Sequence, residues 1–330
     1  MSAWLGGGIH RPERKFTAPQ KKENPIFNDA KLAESKMQKT ILLTGGTGFL
    51  GSALLHCFVR DGYSVVLLKR SFSSVQRVEA VLPTIRSYDI DRVQLAQVFA
   101  ENRIDMIIHC ATNYGRRFVP PSEIIRANLI LPLDLLQLAD IHHVRTFINT
   151  DTILDKGVNY YSLSKSQFVD WLRLFSKSIS CINVALEHFY GPFDDSSKFV
   201  SNILIQLLKR VETIDLTLGT QRRDFIYIDD VADAFCRVME FCGHGDPGFF
   251  HFEVGTGQTV TVRKFVELAK ELTGNTVTRL NFGALPFRPN EIMKSRVDIS
   301  ALTRLGWTAK TNLRMGLEKT IQMEKGKIEL

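Results

Sequence analysis

The sequence is poor in the features that mark several protein classes. It has five cysteines, Cys57, Cys110, Cys181, Cys236 and Cys242, an odd set in which no two stand in C-x-x-C spacing. A disulfide scaffold and a zinc site are therefore not expected, no metal is assigned, and a reducing, cytoplasmic setting fits. No apolar run approaches the ~18 residues that span a bilayer, so no membrane partner is expected. The amino terminus has no signal-peptide core, because Gly6-Gly7-Gly8 and a run of charges stand where the apolar segment belongs. Internal repeats and low-complexity stretches are missing as well.

Acidic residues are outnumbered, 35 against 42 basic, for a net charge of +7. The excess is concentrated. Residues 1–39 hold eight basic side chains (Arg11, Arg14, Lys15, Lys21, Lys22, Lys31, Lys36, Lys39) and four acidic ones (Glu13, Glu23, Asp29, Glu34). A charge gathered in one segment argues against nucleic acid as a partner of the whole chain. Residues 1–38 show no period and are expected to form a disordered tail, with Met37 just ahead of the first strand.

What remains is ordinary globular material: 330 residues, 44% apolar and 23% charged, which at roughly 150 residues per domain makes one large domain or two smaller ones. Thr40–Leu43 is an apolar run, Ser52–Asp61 has helical spacing, and Ser64–Leu68 is a second continuous apolar run of the kind buried on both faces of a parallel sheet. A helix near Ser74–Leu82, a strand near Thr84–Tyr88, a helix over Asp91–Glu101, a strand at Met106–Cys110, a helix over Pro121–Ala139 and a strand at Arg145–Asn149 follow. This alternation predicts a Rossmann-type, doubly wound parallel α/β sheet. After about residue 190 the rhythm loosens, with helices expected at Phe199–Val211, Asp229–Phe241 and Thr261–Thr273, a strand at Arg223–Ile228, and irregular chain to Leu330. The expected organisation is a dinucleotide-binding domain over 39–180. A smaller substrate lobe over 181–330 returns some elements to the first domain.

Gly45-x-x-Gly48-x-x-Gly51 lies between a strand and a helix. The first glycine permits a positive φ, the second lets a pyrophosphate approach the backbone, and the third lets helix and strand pack closely. The helix amino terminus then offers free N–H groups and a positive dipole end. At the end of the second strand, where NAD-specific sites carry a carboxylate for the ribose 2′-hydroxyl, the chain has Lys69-Arg70-Ser71. Basic groups there suit a 2′-phosphate, so NADP(H) is favoured over NAD(H). Asp89-Ile90 after the third strand is placed to flank the adenine, or alternatively caps a helix.

Tyr161 and Lys165 stand at i and i+4, sharing a face if the segment is helical. A phenol with an ordinary pKa of about 10 gains acid–base use at neutral pH when an ammonium favours its phenolate. Thr150-Asp151-Thr152, at the end of the strand Arg145–Asn149, offers a hydroxyl to hold a substrate oxygen beside that phenol.

Taken together, the chain from about Lys39 onward resembles the extended short-chain dehydrogenases/reductases of the nucleotide-sugar epimerase/dehydratase family. The likeness rests on Thr44-Gly45-Gly46-Thr47-Gly48-Phe49-Leu50-Gly51, the Tyr161/Lys165 pair, Tyr190-Gly191-Pro192, Arg223–Val231 and Leu305-Gly306-Trp307. Within the family it is most similar to 4-ketoreductases of the CDP-abequose and CDP-paratose synthase type, through Leu186-Glu187-His188-Phe189-Tyr190-Gly191-Pro192 and the segment from Phe282-Gly283-Ala284 to Asn290-Glu291-Ile292-Met293.

The resemblance implies roles. Thr150 matches the catalytic Ser/Thr, Tyr161 the acid/base and Lys165 its electrostatic partner. Gly45, Thr47, Gly48, Phe49, Leu50 and Gly51 hold the cofactor with Lys69, Arg70, Asp89, Ile90, Cys110, Ala111, Thr112, Tyr161 and Lys165. Thr112, Thr152, His188, Lys198, Arg223 and Arg288 hold a nucleotide-diphosphate sugar, the two arginines at the diphosphate. His188 stands where many relatives have asparagine. A homodimer through helices near Leu131–Ala139 and Ser164–Phe175 is implied too.

Two departures narrow the activity. Dehydratases carry Thr-Asp-Glu at this strand end, and the third position here is Thr152, which argues against 4,6-dehydration. Only eleven positions separate Thr150 from Tyr161, shorter than in typical epimerases. The expected activity is NADPH-dependent reduction of a 4-keto (6-deoxy) nucleotide sugar with Tyr161 as proton donor. The alternatives are a 4-epimerase with retained cofactor and, more distantly, a non-catalytic dinucleotide sensor.

Overall fold

The computed structural model describes residues 39–116, 118–241 and 246–328; the expected tail and Cys242 lie outside them. The chain opens with β1 (Thr40–Thr44), α1 (Phe49–Arg60), β2 (Ser64–Lys69), β3 (Arg86–Asp89), α2 (Leu95–Glu101) and β4 (Met106–His109). It continues through α3 (Pro121–Ile125), a π turn (Arg126–Ile130), α4 (Leu131–Ile141), β5 (Thr146–Thr152), α5 (Tyr160–Phe175) and β6 (Ser180–Leu186). β11 (Gly248–Val254) completes a seven-stranded sheet of order β11-β6-β5-β4-β1-β2-β3, in which every neighbouring pair is parallel. The apolar runs of β1, β2, β4 and β6 are buried throughout their length, because helices cover both faces of such a sheet.

Two apolar clusters flank it. One gathers α1 with elements of the second half of the chain, the other gathers α2, α4 and α5 around Phe147 and Phe168. The boundary expected at residue 180 passes between strands of one sheet, since β6 and β11 both pair in it. The smaller lobe is made of short pieces: β7 (His188–Tyr190) with β10 (Phe225–Tyr227), β8 (Thr213–Leu216) with β13 (Arg279–Phe282), and β9 (Arg222–Arg223) with β12 (Val260–Thr261). They are framed by α6 (Phe199–Leu208), α7 (Ile228–Phe241), α8 (Val262–Thr273), α9 (Ser300–Arg304) and α10 (Leu313–Ile328).

Three expectations are corrected. The helix expected at Ser74–Leu82 is a series of tight turns, with Val78 N–H donating to the Val75 carbonyl at 2.8 Å and Val81 N–H to that of Val78 at 3.0 Å, and a short 3₁₀ turn at Leu82–Thr84. Its valines recur every third residue, and three β-branched side chains with Pro83 behind them favour i+3 turns over a helix. The single helix expected over Pro121–Ala139 is interrupted by the π turn ahead of Pro132. Pro132 has no N–H to return to the Asn128 carbonyl, so the register slips there. The stretch expected to be irregular to the end contains α10, started by Asn312, whose side chain accepts from Met315 N–H at 3.0 Å. At Gly316 that helix lies so close to β7 that a Cβ would overlap the Tyr190 hydroxyl.

The cysteines are dispersed in sequence, yet Cys57 on α1 and Cys236 on α7 bring their sulfurs to 3.2 Å. The hydrogen bond from Cys236 and the nearby Arg60 charge lower the Cys57 thiol pKa.

Candidate active site

In an open parallel sheet, ligands gather at the carboxyl ends of the strands. Here those ends carry nearly every residue singled out above. The glycine loop follows β1. Gly45 has φ +68°, and a Cβ on it would meet Ala111 N at 2.5 Å and the Cys110 carbonyl carbon at 2.6 Å. A Cβ on Gly51 would overlap the Gly45 carbonyl oxygen. The loop, the start of α1 and the end of β4 thus touch through bare backbone, and only glycine fits. Gly48 is the N-cap of α1 and brings no side chain to the helix end. Its first N–H groups are left for a ligand. This cradle fits the pyrophosphate of a dinucleotide, with Thr47, Gly48, Phe49 and Leu50 around it.

Cys110, Ala111 and Thr112 leave β4 beside that loop. Ala111 N–H donates to the Thr44 hydroxyl at 3.2 Å, and burial pushes the Cys110 thiol up to about 12, so it packs as a neutral group. The Thr112 hydroxyl donates to Asn128 Oδ1 at 3.1 Å. Asn128, fully buried in the π turn, also accepts from Asn113 N–H at 2.7 Å and donates to Ser164 at 3.0 Å. The irregular turn has a purpose in this light: it aims one amide at both the loop after β4 and the helix that bears Tyr161. Sequence reading missed Asn128, although the Pro132 after it is a visible signal.

The end of β2 differs from expectation in detail. Strand register sets Lys69 opposite Asp89, and the two form an ion pair. The Lys69 ammonium and one oxygen of the Asp89 carboxylate thus hold each other at the ends of the two strands. Ile90 N–H donates to the Lys69 carbonyl at 2.8 Å. Arg70 remains exposed with its guanidinium 4.7 Å over the Phe72 ring. Ser71 is drawn to Asp91, at 2.7 Å from its N–H and 2.6 Å from its hydroxyl.

α5 begins at Asn159, which forms a reciprocal capping box with Ser162. This places Tyr161 and Lys165 one turn apart on the face turned to β5. Lys165 is 1% exposed and donates to the Thr150 carbonyl at 2.7 Å. Burial lowers its pKa to about 8, against which the charges of Asp151 and Cys110 act. Burial raises the Tyr161 phenol above its ordinary value, Tyr114 and Asp151 add to this, and a hydrogen bond with Thr152 pulls the other way. The expectation that Lys165 draws the phenol down is not met in this arrangement, since its ammonium is turned onto the strand carbonyl. The Thr150 hydroxyl donates to the His109 carbonyl at 2.9 Å, so Thr152 is the hydroxyl on the phenol. His109 itself is held far below its usual pKa by burial and by Lys165, and is neutral. Tyr114, whose ring centre lies 5.0 Å from that of Tyr161, went unnoticed in the sequence because nothing in its spacing marks it.

Beyond Tyr161 the site widens toward the smaller lobe. Lys198 pairs with buried Asp194 at 2.9 Å, and its ammonium lies 4.8 Å from the Phe189 ring, 5.3 Å from Phe49 and 5.7 Å from Tyr114. Lys198 thereby joins the glycine loop to the tyrosine. Arg223 on β9 forms an ion pair with Glu291 and donates to the carbonyls of Arg222 and Ile292. Arg288 stands exposed, close enough for its charge to depress Arg223 further below its usual pKa, where burial is the main cause. His188, half-exposed on β7, bonds through Nδ1 to Glu187 at 2.7 Å. The structure so divides the predicted residues into two groups, glycine loop with Tyr161 and Lys165, and Arg223 with Arg288. Glu187 and Lys198 lie among the elements that join them.

Known proteins share this fold. The profile of the NAD dependent epimerase/dehydratase family matches residues 41–255. The CDP-abequose synthase of Salmonella muenchen is 34% identical over 299 residues, covering 88% of this chain and 99% of that protein. The UDP-glucose 4-epimerase of Mycolicibacterium smegmatis is 27% identical, covering 87% and 98%. Among solved structures, the UDP-glucose 4-epimerase of Thermotoga maritima with UDP-glucose superposes with a TM-score of 0.76 at 24% identity, over 88% of this chain and 99% of that one. With the glycine cradle, the Tyr161–Lys165 helix and a family match across most of the described sheet, the chain belongs to the NAD dependent epimerase/dehydratase family.

Proposed function

We propose that the protein reduces the 4-keto group of a nucleotide-linked 6-deoxy sugar, with a CDP-linked sugar as the favoured substrate and NADPH as the favoured reductant. The observation that carries this is the protonated Tyr161 phenol beside the Thr152 hydroxyl, at the position where a dehydratase has a carboxylate. The likeness to CDP-abequose synthase over nearly the whole chain supports the same reading.

The nicotinamide, when bound, supplies hydride to the keto carbon. The chain's own residues do the rest. Tyr161 keeps its proton through neutral pH and gives it to the oxygen that gains charge, while Thr152 offers the hydroxyl beside it and Thr150 fixes the strand end through the His109 carbonyl. Such general acid help contributes about 10²–10⁴ in rate. Lys165, whose ammonium donates to the Thr150 carbonyl, holds the end of β5 in place behind the phenol. Arg223 and Arg288 hold the diphosphate, for which paired guanidinium groups suit. Arg70, the basic group left exposed at the end of β2, faces the cofactor 2′-phosphate. The protein acts as a homodimer through α4 and α5, where Ile141, Leu163, Trp171 and Leu174 are exposed apolar residues.

The test is to supply NADPH with CDP-4-keto-6-deoxyglucose and follow nicotinamide absorbance and product. One NADPH oxidised per sugar reduced supports the reading. Interconversion of UDP-glucose and UDP-galactose with no net oxidation would replace it with 4-epimerisation, the activity named for several relatives.

A further inference from the structure

Glu187 follows the last residue of β6. Leu186 is in register with Thr152 on one side and Val254 on the other, and Glu187 N–H donates to the Val254 carbonyl at 3.2 Å. The residue therefore sits on the carboxyl edge of the sheet, next to the strand end that carries Thr150 and Thr152. It is 5% exposed. One carboxylate oxygen, Oε1, is bonded to His188 Nδ1 at 2.7 Å, while the other, Oε2, is buried and has no partner among the described residues. A bare carboxylate oxygen out of water is costly, and such atoms are kept where a ligand completes them.

Its surroundings define what that ligand offers. Arg223 and Asp224 both feel the Glu187 charge. Arg223 is nevertheless committed to Glu291 and to the carbonyls of Arg222 and Ile292. A carboxylate repels a diphosphate, so Glu187 does not face that part of the substrate. Between the reacting phenol and the arginines, the remaining part is the sugar ring, whose hydroxyls are neutral hydrogen-bond donors. We infer that Glu187 Oε2 accepts a hydrogen bond from a sugar hydroxyl and so positions the ring for reaction at Tyr161, with His188 fixing the carboxylate from behind. The inference rests on the proposed function for the ligand class, a nucleotide-linked sugar.

The full chain, as wild type, Glu187→Gln and Glu187→Ala, is titrated calorimetrically with CDP and with CDP-glucose, and unfolding temperatures are recorded in parallel. In Glu187→Gln the one remaining carbonyl oxygen is taken by His188, so an N–H₂ group replaces the charged acceptor. The expected result is that CDP binds all three proteins within about twofold, while CDP-glucose weakens about tenfold or more in both variants, the loss of one charge-assisted bond. Unchanged CDP-glucose binding in both folded variants, or equal weakening of CDP and CDP-glucose, overturns the inference and leaves the proposed function standing. Failure of the wild type to bind either nucleotide, or UDP and UDP-glucose in their place, overturns both. Should Glu187→Ala fail to fold, Glu187→Gln alone decides the matter.

Discussion

The two ends of the candidate site are built from different material. At the proposed cofactor end, backbone touches backbone: Gly45, against the backbone of Cys110 and Ala111, and Gly51, against the Gly45 carbonyl, leave no room for a Cβ, and α1 offers unadorned N–H groups. At the proposed diphosphate end, side chains hold side chains: Arg223 on β9 is fixed by Glu291, 68 positions away, and by the neighbouring Ile292 carbonyl. The first design tolerates no added atom but does not depend on which polar residues surround it. The second tolerates change in shape, and its strength depends on one ion pair and on a guanidinium largely withdrawn from water.

The comparison breaks most sharply at Gly51. Gly51→Ala puts a methyl group onto the Gly45 carbonyl, and NADPH binding measured by fluorescence is expected to be lost altogether, with a marked fall in unfolding temperature. Retained binding would mean that the loop relaxes at little cost. Next in size, Tyr161→Phe leaves NADPH binding within about twofold and lowers turnover by about 10²–10⁴. At the other end, Arg223→Lys keeps the charge but loses the forked geometry, and KM for the nucleotide sugar is expected to rise roughly tenfold with turnover little changed.

A smaller effect concerns Lys165, the charge shared by both halves of the chemistry. Its pKa falls from an ordinary 10.5 to about 8 on burial. Below about 8 the folded state therefore carries a desolvation penalty that the unfolded chain does not, and the penalty is relieved as pH rises toward 10.5. Lys165→Met is accordingly expected to unfold later in urea at pH 7, by about 1–3 kcal/mol, with an advantage that shrinks above pH 8 and with activity abolished. Smallest of all, Arg70→Ala is expected to reduce the preference for NADPH over NADH by about fivefold to tenfold in kcat/KM, through loss of one exposed phosphate contact.

The same contrast explains what could be read in the sequence. A backbone-built site leaves its trace as spacing, and Gly45, Gly48 and Gly51 between a strand and a helix are visible without any structure. The Tyr161–Lys165 pair is visible for the same reason, since one helical turn joins its members. The alternation of apolar strands and helices likewise disclosed the parallel sheet, because burial on both faces leaves continuous apolar runs. Contacts made across strands or loops leave no such trace. Lys69 and Asp89 look like two separate ligands until register sets them side by side. Tyr114, Asn128 and Glu291 carry no periodic mark, and each reaches its partner only after the sheet has formed. β-branched spacing misled over residues 74–82, where valines at every third position fit a helix and tight turns alike. The hydroxyl nearest the phenol also escaped notice, as Thr150 and Thr152 stand two apart on one strand, share its face, and are not told apart by spacing.

The most direct test of the account follows a single quantity, NADPH consumed per molecule of CDP-4-keto-6-deoxyglucose converted, in wild type and in Tyr161→Phe. A one-to-one ratio in the wild type, with turnover all but lost and cofactor binding kept in the variant, is the predicted result. Sugar conversion without NADPH oxidation, or full turnover in Tyr161→Phe, would contradict it.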